Sequence, residues 1–202
     1  LRYQAEGYRV LGIALDWAGN FTEARRNHAR AVEAARKLGH KFLYLNALNS
    51  TGSSYHRSGE YSKALACFKR CIRENQPIDS VQQSWFLTNI AATYRDLRRY
   101  DSATATYAVL LRYGRYLAPI DSAYAFADLA MLSARTGKAP LALRYSQQAL
   151  TIVPRLTGGL TIAHVYEATS EAHQAARNWP VALRYYQNFI SMRDSILHQE
   201  ER

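Results

Sequence analysis

The chain has 202 residues, 48% of them hydrophobic, which is enough apolar content to bury a substantial core and excludes a disordered chain. Its net charge of +10 comes from 26 basic residues against 16 acidic ones, but the basic residues run from Arg2 to Arg202 without clustering, so the charge does not predict a nucleic-acid-binding surface. No run of about eighteen apolar residues is present to span a bilayer, and because the chain begins at Leu1 it reads as a segment of a longer protein.

In chain order, the apolar patterning and turn signals predict five helix pairs and no strand. The first helices of the pairs cover about 3–18, 41–58, 80–97, 121–136 and 160–176, and their partners about 22–37, 61–74, 100–115, 139–152 and 179–200. Within each pair the joint has one form: AGNFTEA at 18–24, SGEYSKA at 58–64, LRRYDSA at 97–103, TGKAPLA at 136–142 and ARNWPVA at 176–182. Between pairs, stretches such as ENQPIDS and VPRLTGG supply the Pro, Gly and Asp expected of connections.

The alanines closing the joints, Ala24, Ala64, Ala103, Ala142 and Ala182, are separated by 40, 39, 39 and 40 residues. Helical patterning at such a period indicates stacked helix hairpins, because one hairpin cannot bury its apolar face alone. Twelve residues before each alanine the residue is small (Gly12, Gly52, Ala91, Ala130, Ser170), and four residues earlier it is bulky (Tyr8, Leu48, Leu87, Phe126, Tyr166). Seven residues after it comes another apolar side chain, Ala31, Cys71, Leu110, Ala149 or Phe189. Bulky residues filling gaps beside small ones that permit close approach is the pattern of an antiparallel helix hairpin.

Tyr8, Leu11, Gly12, Leu15, Gly19, Phe21, Ala24 and Ala31, and again Leu48, Gly52, Tyr55, Gly59, Tyr61, Ala64 and Phe68, resemble the tetratricopeptide repeat. The resemblance covers nearly the whole chain in five repeats, about 1–39, 40–79, 80–119, 120–158 and 159–187, followed by an extended terminal helix over 188–202. It implies an all-α fold, a right-handed α-solenoid superhelix of five antiparallel hairpins forming one domain. The period departs from the family's 34 residues, which requires longer helices or longer connections. The later copies depart in sequence: Arg98 and Arg177 stand where the turn glycine is expected, and Ala139 where the turn aromatic is.

Little in the sequence points to chemistry, and the chain is expected to be neither an enzyme nor a holder of a cofactor or metal. Cys67 and Cys71, four apart on one helix, read as free thiols with Cys71 in the core, since a disulfide within a regular helix is geometrically awkward. His164, Glu167 and Glu171 share one helix face but lack an opposing set of ligands or nucleophiles. No glycine-rich phosphate loop follows a strand. Most of the fifteen tyrosines occupy helix-junction positions such as Tyr55, Tyr107 and Tyr186, where a ring fills space and its hydroxyl is expected to stay near water.

The resemblance further implies that the first helix of each repeat lines a concave groove. On this chain the corresponding positions include Arg9 and Asp16; Asn46, Asn49 and His56; Trp85, Asn89 and Arg95; Tyr124, Asp128 and Met131; and His164, Glu167 and Glu171. Amides, a Trp, a Met and charges of both signs suit a protein or peptide ligand, with Asn side chains bonding its backbone and Trp85 or Met131 holding its side chains. In type Arg9 fits a carboxylate clamp known in the family, but Ile13 stands where that clamp needs asparagine.

Tyr185, Phe189, Met192 and Ile196 step by 4, 3 and 4 along the last helix, a heptad-like stripe. It weakly resembles the exit helix of bacterial sensor proteins. This implies the sensory or scaffolding part of a signalling or transcription regulator, extracytoplasmic on a membrane anchor or cytoplasmic. The alternative is a structural scaffold that forms a homodimer through this helix.

Overall fold

The computed structural model describes the backbone of residues 1–200 and the side-chain surroundings of residues 1–196; the end of the 188–202 tail lies outside the described residues. Among the described residues there are ten α-helices, two short 3-10 turns and no strand. They form two compact units. The first, Leu1–Arg99, contains α1 (Arg2–Trp17), α2 (Phe21–Lys37), α3 (Lys41–Arg57), α4 (Tyr61–Glu74) and α5 (Ser80–Asp96). The second, Tyr100–Arg202, contains α6 (Tyr100–Leu111), α7 (Pro119–Arg135), α8 (Ala139–Ile152), α9 (Gly159–Ala175) and α10 (Trp179–Glu200).

The joints close the same way each time. Gly19, Gly59 and Gly137 adopt left-handed φ values of 75°, 79° and 74°, and Arg98 and Arg177 adopt 57° at the same place. In the second joint the Gly59 amide donates to the His56 carbonyl (3.0 Å) and the Glu60 amide to the Tyr55 carbonyl (2.8 Å). This is the pair of bonds that satisfies the last carbonyls of a helix whose next residue turns left-handed. In the joints at Arg98 and Arg177 the same bonds form, Arg98 to Arg95 and Arg99 to Tyr94, and Arg177 to Gln174 and Asn178 to His173. The turn is thus imposed by packing where its residue does not favour it.

The closing alanines are buried, four of them completely. The small residue twelve before each is required where a ring lies over it. A Cβ on Gly12 would stand 2.5 Å from the His28 ring, and one on Gly52 2.5 Å from the Phe68 ring. In the first unit, Leu43 of α3 packs on Ala34 and Ala35 of α2, and Phe86 of α5 packs on Leu45, Leu48 and Cys71. In the second, Val165 and Ala168 of α9 close over Ala123, Ala127, Ala130 and Met131 of α7 and Ala149 of α8. α3, α5 and α9 therefore each rest on both helices of the preceding hairpin.

Ten helices fall where the sequence predicts them, most ends within two residues. α6 ends at Leu111, short of the predicted 115, and Gly114 opens a 3-10 turn, Gly114–Tyr116, ahead of Pro119. The long period has two sources: first helices of 16 or 17 residues, and connections that include 3-10 turns at Gly114–Tyr116 and Val153–Arg155. Tyr107 corrects the expectation for tyrosines, since its ring is fully buried and its hydroxyl donates to the Asp128 carboxylate, not to water.

Candidate functional site

The residues assigned to a groove sit on α1, α3 and α5 in the first unit and on α7 and α9 in the second. Most of them bond to the neighbouring first helix. In the first unit Gln82 of α5 donates to the Asn46 side-chain oxygen (2.9 Å), Asn89 donates to Asn49 (2.9 Å), and His56 meets Asp96 (2.9 Å). In the second, Arg135 of α7 grips Glu171 of α9 through two bonds of 3.1 and 2.9 Å, and His164 meets Asp128 at 2.8 Å. These polar rungs tie successive hairpins together.

Two buried carboxylates anchor the rungs. Asp16 takes a bond with the fully buried His28 imidazole (2.9 Å) and another from the Ser54 hydroxyl (2.6 Å). Asp128 takes the His164 imidazole and the Tyr107 hydroxyl. A buried carboxylate needs such donors, because an unpaired charge out of water is costly. Ser54 bonds the carboxylate and not the imidazole, so Asp16, His28 and Ser54 do not form a Ser–His–Asp relay, in which the serine must bond the histidine. His28 and Tyr107 both lie four residues after a joint alanine, where Phe68 stands in the second repeat. A polar ring in a bulky core slot is the sequence signal for these buried partners.

Asp16 and Asp128 thus belong to the core and not to an open groove, and Met131 is buried among alanines, which removes it as a ligand anchor. Arg9 pairs with Glu6 on its own helix at 2.5 Å, and the hydrogen bonds from Arg9 hold the Glu6 carboxyl below its usual value. Arg95 bonds Asp96. Burial raises the Asp96 carboxyl, but the hydrogen bonds from His56 and Arg95 together outweigh it and leave it below the ordinary aspartate value. Tyr124 lies against His164 with ring centres 5.0 Å apart, and the other His164 nitrogen is 3.9 Å from Glu167. Tyr124 also lines an apolar concavity of roughly 540 Å³ with Ile120, Gly159, Leu160, Met192 and Ile196.

Trp85 is different, since its indole is exposed on α5, one turn before Asn89. Among the described residues the Asn89–Asn49 bond uses one donor and one acceptor, leaving Asn49 Nδ2 and Asn89 Oδ1 without a protein partner.

The stripe on α10 is largely consumed within the chain. Tyr185 packs on Tyr166 and His173 of α9, with ring centres 6.1 and 6.0 Å apart, and Met192 and Ile196 lie over Gly159. A coiled coil through this stripe would have to displace α9. Among the described residues no group of three His, Cys, Asp or Glu could hold a metal ion, and no helix is long and apolar enough to cross a membrane. Cys67 and Cys71 are free thiols, and burial raises both, so neither is a ready nucleophile.

Residues 3–73 match the tetratricopeptide repeat family. The fold is shared with BtubC (BKLC) from P. vanneervenii at a TM-score of 0.81 and 17% identity, over 95% of this chain and 80% of that one. It is shared with kinesin light chain TPR-like repeats of Podosopora anserina at 0.75 and 13%, over 96% of both chains. A MamA protein matches at 0.63 and 14%, over 96% of this chain and 94% of that one. No curated protein matches the sequence.

Proposed function

We propose, on the premise that the chain is built of tetratricopeptide repeats, that it is a non-catalytic protein-interaction module whose first unit holds an extended peptide across α3 and α5. Trp85 carries the reading. It is an exposed indole set one turn from a pair of amides that keep the Asn49 amino group as donor and the Asn89 carbonyl as acceptor. An extended backbone presents the complementary acceptor and donor, and a Trp beside them supplies the large contact area typical of binding hot spots. The polar rungs support this by exclusion: Asn46, His56, Asp128, His164 and Glu171 are engaged in holding the hairpins together.

We place the module in the sensory or scaffolding part of a bacterial regulator. Supporting this is the length of α10, whose 22 residues exceed the 17 of its partner α9.

The test is retention of peptides from an unbiased library by the wild-type chain, by Trp85→Ala and by Asn49→Ala/Asn89→Ala. Loss of a hot-spot indole is expected to weaken selected peptides by 2 kcal/mol or more, roughly thirtyfold, with unchanged circular dichroism. Equal retention by all three proteins overturns the assignment.

A further inference from the structure

One repeat position stays apolar and uncovered in every repeat after the first. It lies twenty-two residues before the joint alanine and is held by Phe42, Val81, Ile120 and Leu160, each the second residue of its helix. These side chains are 43%, 41%, 42% and 67% exposed. Phe42 and Val81 lie on α3 and α5, inner helices with other helices before and after them, so their exposure belongs to the position and not to a chain end. A single exposed apolar residue is ordinary, but one that recurs beside others makes a surface.

In the first unit this position adjoins Trp85. Gln82 of α5 donates to the Phe42 carbonyl (3.3 Å) and to the Asn46 side chain, so the starts of α3 and α5 lie side by side. Val81, Trp85 and Asn89 then follow one another at single-turn spacing on one face of α5. The seam of α3 and α5 thus runs from the exposed Phe42 and Val81, past the exposed Trp85, to the Asn49–Asn89 pair with its spare donor and acceptor. In the second unit Ile120, Tyr124 and Leu160 hold the corresponding places, but Met192 and Ile196 of α10 share their concavity, and the place of Asn89 is taken by the buried Asp128.

The spacing along α5 selects a ligand conformation. A helix rises about 1.5 Å per residue, which puts Trp85 about 6 Å and Asn89 about 12 Å beyond Val81. An extended chain advances about 3.3 Å per residue and sends alternate side chains to the same side, so two residues cover about 6.6 Å and four about 13 Å. A peptide along the seam therefore meets Val81 with one side chain and Trp85 with the next but one, and two residues further its backbone reaches the amides.

We propose that the ligand of this site is an extended segment with two bulky apolar residues separated by one residue, the first seated on Phe42 and Val81 and the second on Trp85. Its backbone bonds Asn49 and Asn89 two residues beyond. The inference rests on the peptide reading above and adds what the peptide must carry. The spare amide donor and acceptor at the end of the apolar track decide between occupants. An extended backbone supplies both partners, a helical ligand has spent its backbone groups on itself, and the acyl chains of a bilayer offer neither.

The test takes the peptides that the wild-type chain retains from a random library and measures their affinity for wild type, Trp85→Ala, Phe42→Ser, Val81→Ser and Ile120→Ser. All four positions are exposed, and circular dichroism checks that each variant is folded. The retained peptides are expected to share two bulky apolar residues one apart. Phe42→Ser and Val81→Ser should each weaken them about fivefold or more, and Ile120→Ser, at the same position in the second unit, should leave them unchanged. Peptides that depend on Trp85 but share no apolar pair and ignore Phe42→Ser and Val81→Ser overturn this inference and leave the peptide site standing. Peptides indifferent to Trp85→Ala, or a library from which none is retained, overturn that reading and this inference together. Binding of the chain to phosphatidylserine–phosphatidylcholine vesicles that Val81→Ser abolishes assigns the apolar edge to a membrane and also overturns the inference.

Discussion

Gly52→Ala should destabilise the protein although it replaces glycine inside a helix with the best helix former. The added methyl would stand 2.5, 2.8 and 3.0 Å from Cε1, Cδ1 and Cζ of Phe68, whose ring is 1% exposed and enclosed by Ala64, Leu65 and Ile90. Overpacking of that kind costs about 1–3 kcal/mol, and the helix preference for Ala returns at most about 1. With that full return the net expectation is a loss of up to about 2 kcal/mol. Gly7→Ala is the control, since a Cβ there meets nothing within 4 Å and the same substitution should stabilise α1 by up to about 1 kcal/mol. With a urea m-value of about 2 kcal/mol/M, the Gly52→Ala midpoint should fall by up to roughly 1 M while that of Gly7→Ala rises. Circular dichroism at low protein concentration reads both, and adding Phe68→Leu should relieve much of the Gly52→Ala cost. Equal shifts for the two alanines, or a higher midpoint for Gly52→Ala, would refute the close-packing argument.

Asp16→Ala leaves the His28 ring and the Ser54 hydroxyl without their shared acceptor; unfolding should show a loss of about 2–4 kcal/mol. Tyr107→Phe removes a bond to a buried carboxylate and should cost about 1.5–3 kcal/mol in the second unit. Arg98→Gly and Arg177→Gly should each raise the unfolding midpoint, because glycine accepts the left-handed turn that both arginines adopt at φ 57°. Burial and then the nearby Arg184 charge hold His173 below its ordinary value. The folded state therefore binds fewer protons there than the unfolded one, and stability falls as pH drops below about 6.5. Hydrogen exchange of α9 and α10 should accelerate in that window, and His173→Phe should reduce the effect.

The fold was legible because its signals recur. One left-handed turn and one buried alanine mean little, but five joints at one period fix the hairpins, and even the copies with Arg98 and Arg177 obey the backbone that the glycines define. The site was less legible, because a groove position gives a residue's helix face and not its partners. Asn46, His56 and Glu171 sit on first helices and bond to Gln82, Asp96 and Arg135 on adjacent helices. Asp16 and Asp128 look exposed on a helical pattern and are buried because His28 and Tyr107 reach them from the second helices. The stripe of Tyr185, Met192 and Ile196 was real, but its period alone could not distinguish a partner chain from α9.

The chain contains three tryptophans, Trp17, Trp85 and Trp179, placed on α1, α5 and α10. Their three indole N–H signals, assigned by substitution and followed by nuclear magnetic resonance during titration with a selected peptide, report which of these helices the peptide meets. The peptide should shift the Trp85 signal and leave those of Trp17 and Trp179 unmoved. A peptide that binds and leaves Trp85 unmoved while shifting either of the other two would contradict it.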